Sequence, residues 1–515
     1  MSSITTPARA TSRRGLAMGI LIFASFMDLL DVTIVQVALP TIREDLNATP
    51  AQVEWIVSGY MLAFAVVLVT GVRLGDILGR QRTFLIGVAG FTVASLVASL
   101  SGSGTLPEFL APGDQLVAAR VVQGAFAALM VPQGLSTLQA LYAPKERAPM
   151  YGVIGGVSGL AAVIAPVLGG WLVSSDIAGL GWRSVFLLNI PIDIAIFALA
   201  ARFVPNTRSP HPLRLDLIGV VLLSGALLGM LYPVVEGRSL EWPSWLWIVA
   251  GAGVALAVVF VLVERAKERR DGSSLLPLSL FGNRGFSAGL VTQASFQGAM
   301  NAFTVAWIIY MQATLGFDAF AVGLIMLPFS LGAFIGVGAA IPLASKVGKP
   351  IVTLGALVQA GGIFWAIQIM SDRGTDLTGW DLLLPLTLTG VGLGLLVVPL
   401  IDIALANVPL RDAGAASGTY GTFQQFGAAV GVAIAGTVFF AQVGTDFSQP
   451  NVMEALTAAS GIAIGGYLLS AVASLLLPKR ADVLRHAEEA ARLAEEGEAP
   501  EEAAQGAAFT PMARP

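Results

Sequence analysis

The sequence contains no cysteine and only two histidines, His211 and His486. The absence of cysteine excludes disulfides, thiolate nucleophiles and cysteine-based metal sites. Two histidines provide too few imidazoles for a histidine metal cluster. We therefore expect no metal and no other cofactor.

Charged residues are also scarce. They make up 12% of the 515 residues, whereas 55% are hydrophobic, and the mean hydropathy is +0.78. No ordinary soluble domain has such a composition, and a net charge of -4 offers no basic surface for nucleic acid. The composition predicts a polytopic membrane protein.

Sequence motifs for catalysis are missing as well. The chain has no GxSxG, no P-loop ending in GK[ST] and no HExxH, and its glycine-rich pieces lie inside apolar runs rather than after a strand. We therefore expect no enzyme activity and no ATP-driven transport by this chain alone. A proton or other ion gradient remains as the source of energy.

Long apolar runs, in contrast, are abundant. Fourteen of them reach roughly 20 residues, the length of a helix that crosses a bilayer, and a lone segment in hydrocarbon must be helical to satisfy its backbone. The first run is too long for a cleaved signal peptide, so it should be retained as an anchor. Numbered in order as spans 1 to 14, the runs cover residues 15–39, 53–72, 83–101, 115–138, 150–174, 184–204, 217–235, 245–264, 286–315, 319–342, 350–370, 382–405, 415–440 and 456–477.

The distribution of basic residues supports this count. If the N-terminus is cytoplasmic, only four of the 29 Lys and Arg residues fall in outside segments, namely Arg43, Arg183, Arg238 and Arg373. Arg120 lies inside span 4, and Arg202, at the cytoplasmic end of span 6, counts with the inside residues. This asymmetry predicts fourteen spans with both termini in the cytoplasm. The preference for Arg over Lys in a chain rich in Ala, Gly and Val is typical of a high-GC bacterium, so we expect a bacterial inner membrane.

Two loops of the chain resemble each other. Residues 73–82 (RLGDILGRQR) follow span 2, and residues 342–349 (PLASKVGK) follow span 10. This internal repeat pairs spans 1–6 with spans 9–14 and leaves spans 7 and 8 as an insertion, a 6 + 2 + 6 arrangement. The predicted parts are a disordered cytoplasmic N-terminus at 1–14, a six-helix bundle at 15–204, an inserted pair at 217–264, a second six-helix bundle at 286–477 and a cytoplasmic tail at 479–515.

Two carboxylates, Asp28 and Asp31, lie one helical turn apart inside span 1. An ionisable residue at the centre of a membrane helix costs at least about 2.5–3.5 kcal/mol, so it marks a functional site. Asp31 lies about 12 Å from the outer end of span 1 and Arg120 about 9 Å from the outer end of span 4, so the two charges can meet. Such a pair can load and release a proton, or it can be a static ion pair. Asp28 is either a second proton site or a hydrogen-bonded structural acid.

The loop between spans 2 and 3 carries Asp76, Arg80 and Arg82, with Gly75 and Gly79 permitting a sharp turn. An Asp can cap a neighbouring helix and an Arg can bridge to a carboxylate, which together form a latch between two conformations. A basic cytoplasmic loop without a further role is the alternative.

Span 5 combines small residues at a spacing of four, such as Ala165 and Gly169, with Pro166. Small residues permit close helix contact, and proline bends the helix.

A stripe of polar residues follows one face of span 9. Neutral amides beside an aromatic suit a water-accessible cavity for amphipathic molecules, although hydrogen bonds between helices explain them equally well. Span 13 carries a less regular set, and Gln123 on span 4 is a further candidate for the cavity. The residues are Gln293, Gln297, Asn301, Thr304 and Trp307 on span 9 and Thr419, Tyr420, Thr422, Gln424 and Gln425 on span 13.

Five motifs together resemble the fourteen-helix drug:proton antiporters of the major facilitator superfamily. Residues 30–40 (LDVTIVQVALP) resemble LDxTIVNVALP with Gln36 for Asn, and residues 73–82 resemble GxLADRxGRKR without its leading Gly or its central basic residue. RxxQG matches at 120–124, GPxxGG at 165–170 with Ala for the first Gly, and WRxxFxxNxP at 182–191.

The resemblance implies a major facilitator fold and export of hydrophobic, often cationic drugs in exchange for protons. It implies that Pro166, Gly169 and Gly170 form the antiporter motif and that spans 1, 4, 9 and 12 line the cavity. Some relatives place acids on span 13, where this chain has Gln424 and Gln425, so proton coupling should depend on the N-terminal half.

Two alternatives to drug export stay open. One is export of a self-made metabolite, antibiotic or lipid, and the other is a membrane scaffold or sensor that transports nothing. We expect a monomer whose partners are small-molecule substrates, protons and the lipid bilayer.

Overall fold

The computed structural model describes residues 7–107, 109–142, 144–208, 215–270, 278–405, 408, 413–443 and 449–478. In this part of the chain, helices are joined by short turns and loops. The α-helices are α1 Pro7–Leu46, α2 Pro50–Leu78, α3 Arg80–Ser99, α4 Pro112–Leu141, α5 Pro144–Ser174, α6 Arg183–Phe203, α7 Leu217–Glu236, α8 Ser244–Arg270, α9 Arg284–Ile309, α10 Ala319–Ile325, α11 Leu327–Val347, α12 Pro350–Arg373, α13 Leu383–Leu405, α14 Ala413–Val443 and α15 Gln449–Ser474.

These helices correspond to the fourteen predicted spans, so the predicted all-α polytopic fold is confirmed. Among the described residues, twelve helical stretches are long and apolar enough to cross a membrane, and Val163–Ser174 in α5 is a shorter apolar stretch. Helix α9 is not among these twelve, because its polar stripe lowers its hydropathy.

Span 10 is not the single helix that the sequence predicts. It is divided at Met326 into α10 and α11. Pro328 lies two residues beyond the break and has no N–H to donate to the carbonyl of Leu324, so a continuous helix loses a hydrogen bond here. Helix α9 likewise ends in a π-helical turn, Tyr310–Thr314.

Part of the N-terminus that the sequence predicts to be disordered is helical. Helix α1 begins at Pro7, so residues 7–14 are helical, whereas the predicted tail at 479–515 lies outside the described residues. Helix α2 has a sharper start, because the Thr49 hydroxyl accepts from the Gln52 amide and the Gln52 side chain accepts from the Thr49 amide.

One compact unit comprises residues 1–221 together with 317–323. Within it α4 packs against both α2 and α3, and α1 packs against α4, α5 and α6. Glycine permits the α2–α4 contact, since a Cβ at Gly124 would lie 2.2 Å from the carbonyl oxygen of Tyr60. Because of this close approach, side chains from α1, α2, α3, α4 and α6 can meet in one place.

The second unit comprises residues 222–316 and 324–515. Helix α9 packs here against α14 and α15, and α13 packs against α11 and α12. A Cβ at Gly431 would lie 2.1 Å from the carbonyl oxygen of Gly298, so α9 and α14 approach at backbone distance. The inserted helix α7 is joined to α14 by the Thr437 hydroxyl, which donates to the carbonyl of Val234 at 2.7 Å.

Candidate functional site

The carboxylate of Asp31 is the centre of a buried polar network in the first unit. Its Oδ2 lies 2.6 Å from Nη1 of Arg120. Its Oδ1 accepts from Nε2 of Gln123 at 3.0 Å and from Nδ2 of Asn189 at 2.7 Å. Asp31 is 2% exposed and Arg120 is 1% exposed. The structure thus joins the two residues that their depths in the bilayer had paired, and three donors saturate the carboxylate.

Arg120 is held by more than its ion pair. Its Nε donates to the carbonyl of Ile56 on α2 at 3.2 Å, and its Nη1 also donates to Oε1 of Gln123 at 2.6 Å. The guanidinium carbon lies 4.2 Å from the centre of the Tyr60 ring, which adds a cation–π interaction in a desolvated place. These contacts tie α4 to both α1 and α2.

Ser95 brings α3 into the same network. Its Oγ accepts from Nε2 of Gln123 at 2.9 Å and from Nδ2 of Asn189 at 3.4 Å. Gln123, which the sequence places in a substrate cavity, is fully buried and bonded on both sides of its amide. Gln123 thus belongs to the hydrogen-bond network of Asp31 rather than to the wall of a substrate cavity.

Asp28 has a partner that the sequence does not indicate. The hydroxyl of Tyr60 donates to Oδ1 of Asp28, and both residues are buried. The same Tyr60 ring faces the guanidinium of Arg120. Asp31 therefore contacts the guanidinium of Arg120 directly, and Asp28 contacts it through Tyr60.

The start of α6 is fastened to the end of α1. Asp45 accepts from Nε1 of Trp182 at 2.9 Å and from Nη1 of Arg183 at 2.8 Å, and Nη2 of Arg183 donates to the carbonyl of Ser101. Trp and Arg of the WRxxFxxNxP motif thus fix the position of α6, and Asn of the same motif, Asn189, reaches Asp31.

The predicted latch residues lie at helix ends rather than in a loop, because α2 extends to Leu78 and α3 begins at Arg80. Asp76 is in the last turn of α2, and Arg80 and Arg82 are in the first turn of α3. Nη2 of Arg80 lies 3.3 Å from Oδ1 of Asp76, in a partly exposed pair, and Arg82 is exposed. The start of α3 is anchored to the end of α6, where Gln81 donates to the carbonyls of Ala200 and Ala201. The α2–α3 junction is therefore in contact with α6 within the first unit.

The α11–α12 loop makes equivalent contacts in the second unit. Gly348 has φ +72° and Gly79 has φ +105°, backbone conformations that favour glycine. Nζ of Lys349 donates to the carbonyls of Leu475 and Leu477 at the end of α15. In both units, the segment after a glycine at positive φ is bound to the end of the sixth helix of its repeat, which fits the repeat predicted from the sequence.

The glycines of the GPxxGG-like motif on α5 lie at close helix contacts. A Cβ at Gly169 would lie 2.9 Å from Cγ2 of Ile34 on α1, and a Cβ at Gly170 would lie 2.2 Å from the carbonyl oxygen of Ala319. The carbonyl of Pro166 lies 2.3 Å from the position of a Cβ at Gly323. Larger residues at these positions would push the helices apart.

The polar residues of α9 are bonded in several ways. Oε1 of Gln293 accepts from the Tyr420 hydroxyl of α14 at 2.7 Å, so this residue makes a hydrogen bond between helices. Asn301 and Thr304 donate to the carbonyls of their own helix, four residues earlier. Gln297 is buried. The stripe is therefore only partly explained by bonds between helices.

Trp307 differs from the rest of the stripe. It is fully buried, yet its Nε1 has no hydrogen-bond partner among the residues that the structure describes, which is uncommon for a buried polar atom. Trp307 and Thr304 line a small apolar cavity together with Met300, Phe303, Met326, Phe329, Leu386, Thr389 and Tyr467. On α14, Gln424 and Gln425 are half-buried.

The sequence did not identify three residues of the network as site residues, nor Asp193, which is buried one turn from Asn189 on α6. Asn189 was visible as part of a motif, and Asp193 on α6 meets the same criterion as Asp28, an acid inside an apolar span. Tyr60 and Ser95 carry no such signal, because Tyr and Ser are ordinary residues of membrane helices.

The described part of the chain, with its long apolar helices and an ion pair buried between them, is that of a polytopic membrane protein. The model of the Major Facilitator Superfamily matches residues 21–219 and 210–432. The chain therefore belongs to this superfamily, whose members are transporters rather than enzymes.

Several relatives are named for antibiotics. The probable actinorhodin transporter of Streptomyces coelicolor (strain ATCC BAA-471 / A3(2) / M145) is 39% identical over 84% of this chain and 74% of the relative. The tetracenomycin C resistance and export protein of Streptomyces glaucescens is 32% identical over 84% and 76%, respectively. The puromycin resistance protein pur8 of Streptomyces alboniger is 30% identical over 90% and 91%.

Solved structures share the fold. The xylose transporter XylE from E. coli, in a partially occluded inward-open conformation, has a TM-score of 0.59 at 12% identity over 89% of this chain and 98% of that chain. An auto-inhibited POT family peptide transporter has a TM-score of 0.61 at 15% identity over 89% and 96%. At this level of identity the likeness concerns the fold alone.

Proposed function

We propose that this protein is a proton-coupled antiporter that exports hydrophobic or amphipathic drugs from the cytoplasm by alternating access. The observation that carries the proposal is the Asp31–Arg120 ion pair, buried inside the helices and saturated by Gln123 and Asn189. A buried ion pair contributes little net stability compared with apolar packing, so its presence calls for a function.

In this mechanism Asp31 carries the coupled proton. Protonation removes the charge that holds Nη1 of Arg120, whose remaining bonds are to the Ile56 carbonyl and to Gln123. The helices α1, α2 and α4 then lose one common attachment, which favours a second packing of the bundle. Deprotonation restores the pair. Asp28, bonded to Tyr60, is the second candidate for a proton.

The other predicted residues take supporting roles. Asp76, Arg80 and Arg82 act as a conformational latch, and the close contacts of Gly169 and Gly170 hold α5 against its neighbours. The six-helix bundles at 15–204 and 286–477 move relative to each other, with the pair at 217–264 inserted between them in the chain. The protein works as a monomer in the bacterial inner membrane, with both termini in the cytoplasm.

Substrate binds along α9, with a further contribution from span 12, which is helix α13. The unbonded Nε1 of Trp307 and the nearby Thr304 offer a donor and a hydroxyl beside apolar walls. Gln293, Gln297, Asn301, Gln424 and Gln425 are neutral, so they favour amphipathic molecules over those that require a carboxylate partner.

A second candidate function is export of an antibiotic that the same cell produces. The observation in its favour is that relatives at 39% and 32% identity are named as a transporter of actinorhodin and an export protein for tetracenomycin C. Both candidates share the mechanism and differ in the cargo.

Transport by purified protein in liposomes with an imposed pH gradient tests the proposal. We expect the wild type to move a fluorescent hydrophobic cation such as ethidium, or an aromatic antibiotic, in exchange for protons. Asp31→Asn should lose all gradient-driven transport, whereas Asp372→Asn, which removes an exposed acid at the end of α12, should retain it. Transport by Asp31→Asn at the wild-type rate would overturn the assignment, and a wild type that moves nothing would favour a scaffold or sensor.

A further inference from the structure

A third carboxyl, Asp193 on α6, lies inside the first unit at 1% exposure. Among the described residues its hydrogen-bond partner is the hydroxyl of Thr92, whose Oγ1 lies 3.4 Å from Oδ2 and which makes its shorter bond, at 2.7 Å, to the carbonyl of Val88. The contact of Asp193 with Thr92 is long and neutral, in contrast to the three donors around Asp31.

Two helices bring Asp193 next to the Asp31 network. On α6 it lies one turn beyond Asn189, which donates to Asp31. On α3 its partner Thr92 lies one turn from Ser95, which accepts from Asn189. The α3–α6 interface therefore has two polar layers one helical turn apart. Ser95 and Asn189 form the layer that contacts Asp31, and Thr92 and Asp193 form the other.

The charges around Asp193 do not balance. Helix α1 contributes Asp28 and Asp31, α4 contributes Arg120, α2 contributes the Tyr60 hydroxyl, and α3 contributes only the hydroxyls of Thr92 and Ser95. The described side chains of α5 include no charged group. Three carboxyls thus share one guanidinium, which Asp31 already occupies.

The energetic consequence falls on Asp193. An ionised carboxylate buried without a cation costs several kcal/mol, and such a group takes up a proton instead. Asp28 at least accepts from a phenolic hydroxyl in contact with Arg120, whereas Asp193 has only Thr92.

We propose that Asp193 is a second proton-binding carboxyl of this transporter, protonated while Asp31 is ionised and paired with Arg120. The inference rests on the proposed proton-coupled function. When Asp31 takes up a proton from the outside, the negative charge one layer away disappears, so the O–H bond of the Asp193 carboxyl breaks more easily, and after the protein turns to the cytoplasm the Asp193 proton passes to cytoplasmic water. Substrate binding then releases the proton of Asp31 to the same side, and Asp193 takes up its next proton from the outside after the protein has turned back. Two protons thus enter for each substrate exported, one through each carboxyl.

Infrared difference spectroscopy of the purified protein tests the protonation state directly. We expect the wild type to show a band of a buried protonated carboxylic acid that shifts in deuterated water, and Asp193→Asn to lose it. Asp193→Glu keeps a carboxyl and should show the band at a changed frequency. Asp372→Asn should keep the wild-type band.

The proton-to-substrate ratio in liposomes provides the second readout. Asp193→Asn should still transport but exchange one proton fewer per substrate, with the same ratio in Asp372→Asn as in the wild type. An unchanged band or an unchanged ratio in Asp193→Asn, in a variant that elutes as the folded protein, overturns the inference. A wild type without gradient-driven transport overturns the proposed function instead, and the infrared band distinguishes the two failures.

Discussion

The Asp31 network of the first unit and helix α9 of the second unit bury polar groups of different kinds. In the first unit, Asp31 and Arg120 are charged and every oxygen of Asp31 is bonded. In the second unit, the polar groups of α9 are neutral. Gln293 bonds to Tyr420, Thr304 bonds to its own helix, and Nε1 of Trp307 is unbonded.

This difference indicates a division of labour. A buried charge must be compensated by fixed partners, so the first unit can respond to a proton but has little freedom to adapt to varied molecules. A neutral side chain that is satisfied by its own helix can face a ligand without leaving a charge unpaired. We therefore expect the first unit to set the energy coupling and the second unit to set the substrate range.

The largest loss of stability and of transport should come from removing the guanidinium of Arg120. Arg120→Ala leaves Asp31 buried without its cation, which costs about 3–5 kcal/mol of stability and should abolish gradient-driven transport. Gln293→Ala in the second unit leaves only the Tyr420 hydroxyl unpaired, at about 1–3 kcal/mol. Thermal unfolding in detergent measures both. If Gln293→Ala proved the more damaging change, the contrast between the units would be wrong.

A smaller loss of stability is expected when the hydroxyl of Tyr60 or of Tyr420 is removed, and the loss should differ between the two. Tyr60→Phe removes the donor to the carboxyl of Asp28, a bond to a charged group worth about 1.5–3 kcal/mol, whereas Tyr420→Phe removes a donor to a neutral amide, worth about 0.5–1.5 kcal/mol. If Asp28 titrates during transport, Tyr60→Phe should also change the pH profile of transport.

Initial rates of transport between pH 5 and 9 measure this profile. Tyr420→Phe should leave the profile as in the wild type, because its partner does not titrate. The same profile in both variants and the wild type would make Asp28 a structural acid.

The smallest effect concerns Trp307. Because its Nε1 has no partner among the described residues, Trp307→Phe loses no hydrogen bond, and its cost in stability is that of the smaller ring, well below the roughly 3–5 kcal/mol of a Trp-to-Ala truncation. An aromatic contact is worth about 0.5–1.5 kcal/mol, so loss of the indole should weaken substrate binding about 2- to 10-fold without changing the proton-to-substrate ratio. Binding measured by fluorescence tests this, with Trp365→Phe on the exposed face of α12 as the control. Equal affinities in both variants would remove Trp307 from the substrate site.

Much of the fold could be predicted because the bilayer imposes it. Helix length and the sorting of basic residues specify the spans, and depth along two helices sufficed to pair Asp31 with Arg120. The break at Met326 was missed, although Pro328 is a visible cause.

The partners of the acids could be predicted less well. Tyr60 and Ser95 reach the network because of the rotation of α2 and α3 about their axes, and Gly124 permits the close approach of α2 and α4. A single sequence does not specify these rotations, whereas an acid such as Asp193 can be found by its charge alone.

Proton release on substrate binding tests the central claim most directly. Purified protein in weakly buffered detergent solution, monitored with a pH-sensitive dye, receives a saturating amount of the substrate that it transports. We predict that the wild type releases protons, and that Asp31→Asn binds the substrate but releases none. Equal release by Asp31→Asn and the wild type would contradict the assignment of Asp31 as the coupling carboxylate.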